Sequence, residues 1–235
     1  VQSPEDIHNL RQILVAGGSQ AQIIAKIETK AAVKPEVMEE IVKASDGIMV
    51  ARGDLAVEAG AEVVPVVQRR LIALCREYNK LVIVATQMMA SMVDSPEPTR
   101  AEVSDVAYAV IQGADCVMLS DETANGSYPL ESVGAMKRAI LYTQEHSPVI
   151  EVKDHTVPEN AQRDAISGAA VHLADQLGVD VIVAETKSGA TAMNLAGYRP
   201  NLPIVSVTSE KRSAQQLSLN YANRSYVRPD GEKAG

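Results

Sequence analysis

Lys26-Ile27-Glu28 and Arg52-Gly53-Asp54 each follow a short apolar run, and that placement sets two carboxylates and one ammonium at the ends of two strands. Hard divalent ions such as Mg²⁺ bind one or two carboxylates together with substrate oxygens, and phosphoryl transfer needs a cation beside the transferring group. Glu28, Asp54 and Lys26 supply those parts, so the chemistry they point to is metal-assisted phosphoryl transfer. Taken singly, each acid reads equally well as a helix N-cap or a surface charge; the joint pattern is harder to dismiss.

The elements that must position these residues are legible from hydrophobic patterning. Ile23-Ile24-Ala25-Lys26-Ile27 and Gly47-Ile48-Met49-Val50-Ala51 are short continuous apolar runs ending in polar residues, as buried strands do. Gly53 falls where backbone must approach a ligand or turn sharply into a helix. Strands are expected at 23–27, 47–51, 81–86 and 115–120, with helices near 33–44, 61–78, 100–111 and 129–144. Ser3-Pro4-Glu5-Asp6 opens an earlier helix running to about Gly17-Gly18. Four β/α units with no hairpin signal favour a parallel sheet and suit the second half of an eight-fold barrel; a doubly wound sheet is the competing layout.

The polar, proline-bearing stretch from Gln144 to Pro158 reads as a linker. It separates a first domain, 1–147, from a second, 158–235. The second opens with a helix from Asn160 to Leu177, whose Ile166, Ala169, Ala170, Leu173 and Leu177 form an apolar stripe. Strands follow at 180–184 and 203–207, and periodicity is lost from Tyr221 to Gly235. The expected class is α/β: a partial (β/α)8 TIM barrel of about four units, then a partial α/β domain with a parallel sheet, incomplete at both ends.

Composition narrows the function classes. The chain has 235 residues, 46% of them apolar, enough for one large core or two smaller ones. Its net charge of -8 is spread over mixed charges with no basic stripe, which argues against nucleic acid and anionic membranes as partners. No signal sequence stands out, and no apolar run approaches the roughly 20 residues that span a bilayer, so a soluble, cytoplasmic protein is expected. Cys75 and Cys116 lack the spacing of a zinc site or a disulfide framework. His8, His146, His155 and His172 have no partner spacing that suggests a metal site or a triad. With no Phe or Trp, aliphatic residues and Met must fill the core, which suits buried parallel strands.

In order, Ile24-Ala-Lys-Ile-Glu28, Ser45-Asp-Gly-Ile-Met-Val-Ala-Arg-Gly-Asp-Leu55, Ala85-Thr-Gln-Met88, Pro98-Thr-Arg-Ala-Glu102 and Met118-Leu-Ser-Asp-Glu-Thr-Ala124 closely resemble pyruvate kinase. The resemblance covers the later half of that family's catalytic barrel and the start of its C-terminal domain. It implies phosphoryl transfer between phosphoenolpyruvate and ADP, giving pyruvate and ATP in glycolysis. It also implies Mg²⁺ or Mn²⁺ on Glu28 and Asp54, with K⁺ in the complete enzyme held largely by residues outside this chain. Lys26 would stabilise charge on the phosphoryl group and the enolate.

In that scheme the amides of Gly53 and Asp54, opening a short helix Leu55 to Glu58, receive the substrate carboxylate. Thr86 resembles the threonine that holds this carboxylate and assists enolate protonation, although it also reads as an ordinary strand-end residue. Ser120 and Glu122 fall near a water or proton-relay network, with Asp121 where the family has glycine and Asn125 where it has lysine. Arg52 reads more readily as a loop or subunit anchor than as a ligand, and Arg100 and Glu102 as helix-start and interface charges.

In the second domain, Thr186, Lys187, Ser188, Gly189 and Thr191 could cradle the phosphate of an allosteric sugar-phosphate or nucleotide. Ala190 departs from a basic residue common in effector-responsive relatives, and a capped βα turn explains the segment nearly as well. The family resemblance further implies a homo-oligomer, a tetramer when complete. Two other readings stand beside the enzyme: a catalytically silent fragment serving as a binding or assembly module, and a metal-dependent pyruvate or phosphoenolpyruvate lyase. The lyase leaves Thr86, Ser120 and the second-domain motif together unexplained.

Overall fold

The structure is a computed structural model and describes residues 1–149 and 161–229. Of these, 1–75 with 80–149 form one compact unit, and 76–79 with 161–229 form a second.

In the first unit, helix α1 (Pro4–Ala16) precedes strand β1 (Ile24–Ile27), then α2 (Pro35–Ala44), β2 (Gly47–Ala51), α3 (Arg52–Ala59) and α4 (Val64–Glu77). Next come β3 (Leu81–Ala85), α5 (Arg100–Gln112), β4 (Cys116–Met118), the one-turn helix α6 (Asp121–Ala124) and α7 (Pro129–His146). The four strands are all parallel and lie in the order β1-β2-β3-β4. A doubly wound sheet reverses its strand order at a switch point; this sheet runs in chain order, as a segment of a β/α barrel does.

Burial follows from that arrangement. Ala25, Ile27, Ile48, Val50, Val82 and Val84 are fully buried on one face of the sheet. Parallel sheets need cover on both faces because their crossovers are helical. On the opposite face Ala51, Leu81, Ile83 and Ala85 are buried as well, while Lys26, Met49, Cys116 and Met118 are not fully buried. Gly47 is required at the start of β2: a Cβ there would sit 2.8 Å from both Ile24 Cδ1 and Leu81 Cβ, in the seam between β1 and β3. All four strand ends that carry the candidate chemistry emerge on the same edge of the sheet, because the strands are parallel.

The second unit contains α8 (Ala161–Leu177), β5 (Ile182–Glu185), α9 (Ala190–Gly197), β6 (Ile204–Thr208), α10 (Lys211–Leu217) and β7 (Asn223–Val227), with a parallel sheet in the order β5-β6-β7. Its core gathers Ala184, Ala192, Leu195, Ala196, Ile204, Leu217 and Tyr221.

Four expectations need correction. Residues 223–227, read as aperiodic, form strand β7 paired along its length with β6; its sequence Asn-Arg-Ser-Tyr-Val has no continuous apolar run. Most of the stripe on α8 faces outward: Ile166, Leu173 and Leu177 are 63%, 54% and 67% exposed and Ala169 is exposed, while Ala170 packs against the core and Asp164, Ser167 and Ala174 are buried. The linker begins later than expected, since Gln144, Glu145 and His146 belong to α7. The short helix after Asp54 begins three residues earlier than expected, at Arg52. The proposed boundary at Pro158 and His155 lie outside the described residues.

Candidate active site

The end of β1 and the first turn of α3 meet around one ammonium. Lys26 and Glu28 are two residues apart at the end of an extended strand, so their side chains leave the same face. Lys26 Nζ lies 2.5 Å from Glu28 Oε2 and donates to Asp54 Oδ2 at 2.8 Å. Asp54 is the third residue of α3, where the unpaired amides of the first turn favour negative charge. The hydrogen bond to Asp54, joined by that to Glu28, raises the Lys26 pKa to about 12. In return, the hydrogen bond from Lys26 holds the Asp54 carboxyl below its ordinary value.

Thr86, immediately beyond β3, closes on the same turn. Its Oγ1 accepts from the Gly53 amide at 2.8 Å. A Cβ on Gly53 would meet Thr86 Oγ1 at 3.5 Å, an ordinary contact, and the residue does not need a positive φ. The sharp turn expected of Gly53 is therefore not what calls for glycine. Thr86 and Gln87 both have positive φ, 70° and 54°, uncommon for any residue but glycine and an outlier for a β-branched one.

Beyond β4, Ser120 takes part through its backbone: its amide donates to Glu122 Oε2 at 2.7 Å. The other oxygen of Glu122 accepts from the Met89 amide at 3.0 Å, and the side chain is 2% exposed. This carboxylate is a buried tie between the loops after β3 and β4. Exposed Asp121 and Asn125 face each other, with Asn125 Nδ2 donating to Asp121 Oδ1 at 3.4 Å. Glu102 caps α5 by accepting from the Thr99 amide and hydroxyl, and also accepts from the Ser91 amide at 2.7 Å and hydroxyl at 2.6 Å. The tie made by Glu122 was missed in the sequence because its partners are backbone groups, which have no residue signature; Arg52, read as a loop anchor, is one, with Nε and Nη2 donating to the Thr86 carbonyl and Nη1 to the Asp105 carboxylate.

In the second unit, Thr186 is buried and its hydroxyl accepts from the Gly189 amide at 3.0 Å. The Lys187 carbonyl accepts from the hydroxyls of Ser213 at 2.8 Å and Thr208 at 3.3 Å. Lys187, Ser188 and Thr191 are exposed at the start of α9. The Thr186 hydroxyl thus shapes the turn, while the other three side chains face solvent.

Residues 1–133 match the family model described as the pyruvate kinase barrel domain, and residues 164–230 match the pyruvate kinase alpha/beta domain. The chain belongs to the pyruvate kinase family. It is 46% identical over 221 residues to a pyruvate kinase of Agrobacterium vitis, across 93% of this chain and 45% of the relative. A pyruvate kinase of Clostridium perfringens is 40% identical over 226 residues, covering 94% of this chain and 47% of its own. One from Thermotoga maritima is 41% identical over 219 residues, covering 93% and 46%. The chain spans about half the length of the curated pyruvate kinases it matches. Among the described residues, no helix is long and apolar enough to cross a membrane.

A divalent ion fits the residues present. Glu28 and Asp54, from two different elements, already converge on one positive charge, the Lys26 ammonium. Among the described residues no group of three or more His, Cys, Asp or Glu could hold a metal. Two carboxylates completed by substrate oxygens and water match a hard ion such as Mg²⁺ and not a closed zinc cage.

Proposed function

We propose that this chain supplies the phosphoenolpyruvate-binding, metal-binding half of a pyruvate kinase active site, and that alone it is catalytically incomplete. What supports this reading is the convergence of Lys26, Glu28 and Asp54 beside the Gly53–Thr86 contact, at strand ends of a parallel sheet. Glu28 and Asp54 would hold Mg²⁺ or Mn²⁺, which when bound neutralises phosphate charge. Lys26 is an ammonium at neutral pH, as a lysine of ordinary pKa already is. It is suited to offsetting charge on the transferring phosphoryl group and the enolate, and not to accepting a proton. Gly53 and Asp54 amides at the start of α3, with the Thr86 hydroxyl, would receive the substrate carboxylate. The Thr86 hydroxyl now accepts from the Gly53 amide, so substrate would exchange that contact for its own.

In the complete enzyme the phosphoryl group leaves phosphoenolpyruvate for the terminal phosphate of ADP, giving ATP and enolpyruvate. Protonation of the enol carbon then gives pyruvate, with Thr86 and Ser120 as candidate participants in the proton path. No residue of this chain is assigned to K⁺. The family resemblance supports a cytoplasmic homo-oligomer, tetrameric when complete. A phosphorylated effector would lie against Lys187, Ser188 and Thr191, with Thr186 and Gly189 shaping the loop.

The test is pyruvate formation from phosphoenolpyruvate and ADP with Mg²⁺ and K⁺, run beside Lys26→Ala and Glu28→Ala, together with Mn²⁺ binding read by electron paramagnetic resonance. The expected result is weak Mn²⁺ binding that is lost in Glu28→Gln and Asp54→Asn, with negligible turnover. Turnover abolished by both alanine variants would show that half a barrel suffices. A folded chain with neither Mn²⁺ binding nor turnover would favour a silent binding or assembly module.

A further inference from the structure

We infer that Arg52 is a positioning residue for Thr86, fixing the backbone that aims its hydroxyl at the turn of Gly53 and Asp54. Arg52 is 8% exposed, and its three donor nitrogens have two targets. Nε and Nη2 both donate to the Thr86 carbonyl, at 3.2 and 2.7 Å, while Nη1 pairs with the Asp105 carboxylate on α5. The neighbouring Gly53 amide holds the other end of the same residue, Thr86 Oγ1, at 2.8 Å. Two consecutive residues therefore grip Thr86 by its carbonyl and its hydroxyl.

The grip falls where the backbone is least comfortable. A β-branched residue at φ 70°, followed by Gln87 at φ 54°, persists only when its surroundings over-determine it. An arginine serving only as a charge anchor would be satisfied by Asp105. Here two arms of the rigid guanidinium fork fall on one carbonyl, which restrains the direction of that carbonyl and hence Thr86 ψ. Asp105 holds the third arm, so that the fork cannot rotate away. A lysine has one nitrogen on a flexible stem and cannot reproduce the pairing. For the substrate role of Thr86 the inference rests on the proposed reading of the site; the positional device itself does not.

The experiment is solution NMR of the full 235-residue chain with labelled threonine methyl groups and amides, comparing the parent with Arg52→Met, Arg52→Lys and Asp105→Asn. The expected result in Arg52→Met is a displaced Thr86 methyl resonance and Gly53 amide exchange faster by roughly tenfold or more, because the Oγ1 contact loosens. Arg52→Lys recovers part of the effect and Asp105→Asn shows a smaller one. The Ile48 amide on β2 and the Thr143 methyl on α7, both buried in the same unit as Arg52, should stay in place, reporting an intact fold. An unmoved Thr86 methyl and unchanged Gly53 exchange in a folded Arg52→Met chain would overturn the inference. If that variant does not fold, unmoved signals in both Arg52→Lys and Asp105→Asn overturn it equally. Neither readout needs metal, phosphoenolpyruvate or turnover, so this inference can fail while the pyruvate kinase reading stands, and the reverse.

Discussion

Lys26 and Asp54 are 28 residues apart in the chain, yet they share a hydrogen bond of 2.8 Å where the end of β1 meets the first turn of α3. Both side chains are substantially exposed, at 46% and 60%, so screening leaves the pair little weight in stability. Its consequence is electrostatic and local. Lys26→Met should leave the urea midpoint nearly unchanged while the Asp54 carboxyl titrates closer to 3.8, its ordinary value. Conversely, Asp54→Asn should bring Lys26 down from about 12 towards 10.5. Because the Lys26 pKa is raised and the Asp54 pKa lowered on folding, whatever the contact contributes is fully present between the carboxylate range and pH 10.5, lost as pH rises through about 12 and lost again as acid protonates Asp54. Carboxyl and lysine side-chain NMR titrations read both shifts; unshifted values would mean that the two groups do not share a proton field in solution.

Glu122 is the more demanding structural residue. Its two oxygens accept from the amides of Met89 and Ser120 inside a site that is 2% exposed. Leaving a buried donor unpaired costs about 1–3 kcal/mol. Glu122→Ala strands both amides and should lower the unfolding free energy by roughly 2–6 kcal/mol, counting both. Glu122→Gln retains one acceptor oxygen and should cost less. Urea denaturation of the two variants checks the order. Equal, small losses would show that water replaces the carboxylate.

How much of this was readable beforehand depended on what the partner was. Strands β1 and β2 were legible within a residue, because a parallel strand buried under helices must be a continuous apolar run such as Gly47 to Ala51. The convergence of Lys26, Glu28 and Asp54 was legible because two acids behind two such runs must emerge on the same edge. Strand β7 was not: it holds its place through backbone pairing with β6, and Asn-Arg-Ser-Tyr-Val has no continuous apolar run. Arg52 was legible as a loop anchor, but not that Thr86 is the residue it holds, because that partner is a carbonyl. On α8 the periodicity was real but attached to the wrong face, since small residues such as Ala174 bury well without raising an apolar signal.

That reversal on α8 is measurable. Leu173 and Ile166 are more than half exposed, so Leu173→Ser and Ile166→Ser should each change stability by no more than about 0.5 kcal/mol. Ile204, fully buried in β6, should lose about 2–5 kcal/mol as Ile204→Ala, through lost transfer energy and the cavity left behind. Thermal or urea unfolding of the three variants decides it. A large loss from either α8 variant would mean that this face is covered in solution.

Glu102 gives the acid limb of stability. Burial alone would raise its pKa, but hydrogen bonds from the Ser91 hydroxyl and amide, with those from Thr99, outweigh it and hold the carboxyl below 4.5. A carboxylate whose pKa falls on folding contributes stability that is present above its unfolded value and is lost as pH falls through the folded one. Between about pH 5 and pH 3, the urea midpoint should fall with acidification, and Glu102→Gln should flatten part of that slope. Glutamine keeps one acceptor oxygen but cannot serve both Thr99 and Ser91, so the variant should be less stable at pH 7 and closest to the parent at low pH. Parallel curves, with the same offset at every pH, would show that Glu102 titrates alike in the folded and unfolded chains and that the Ser91 contact is not formed.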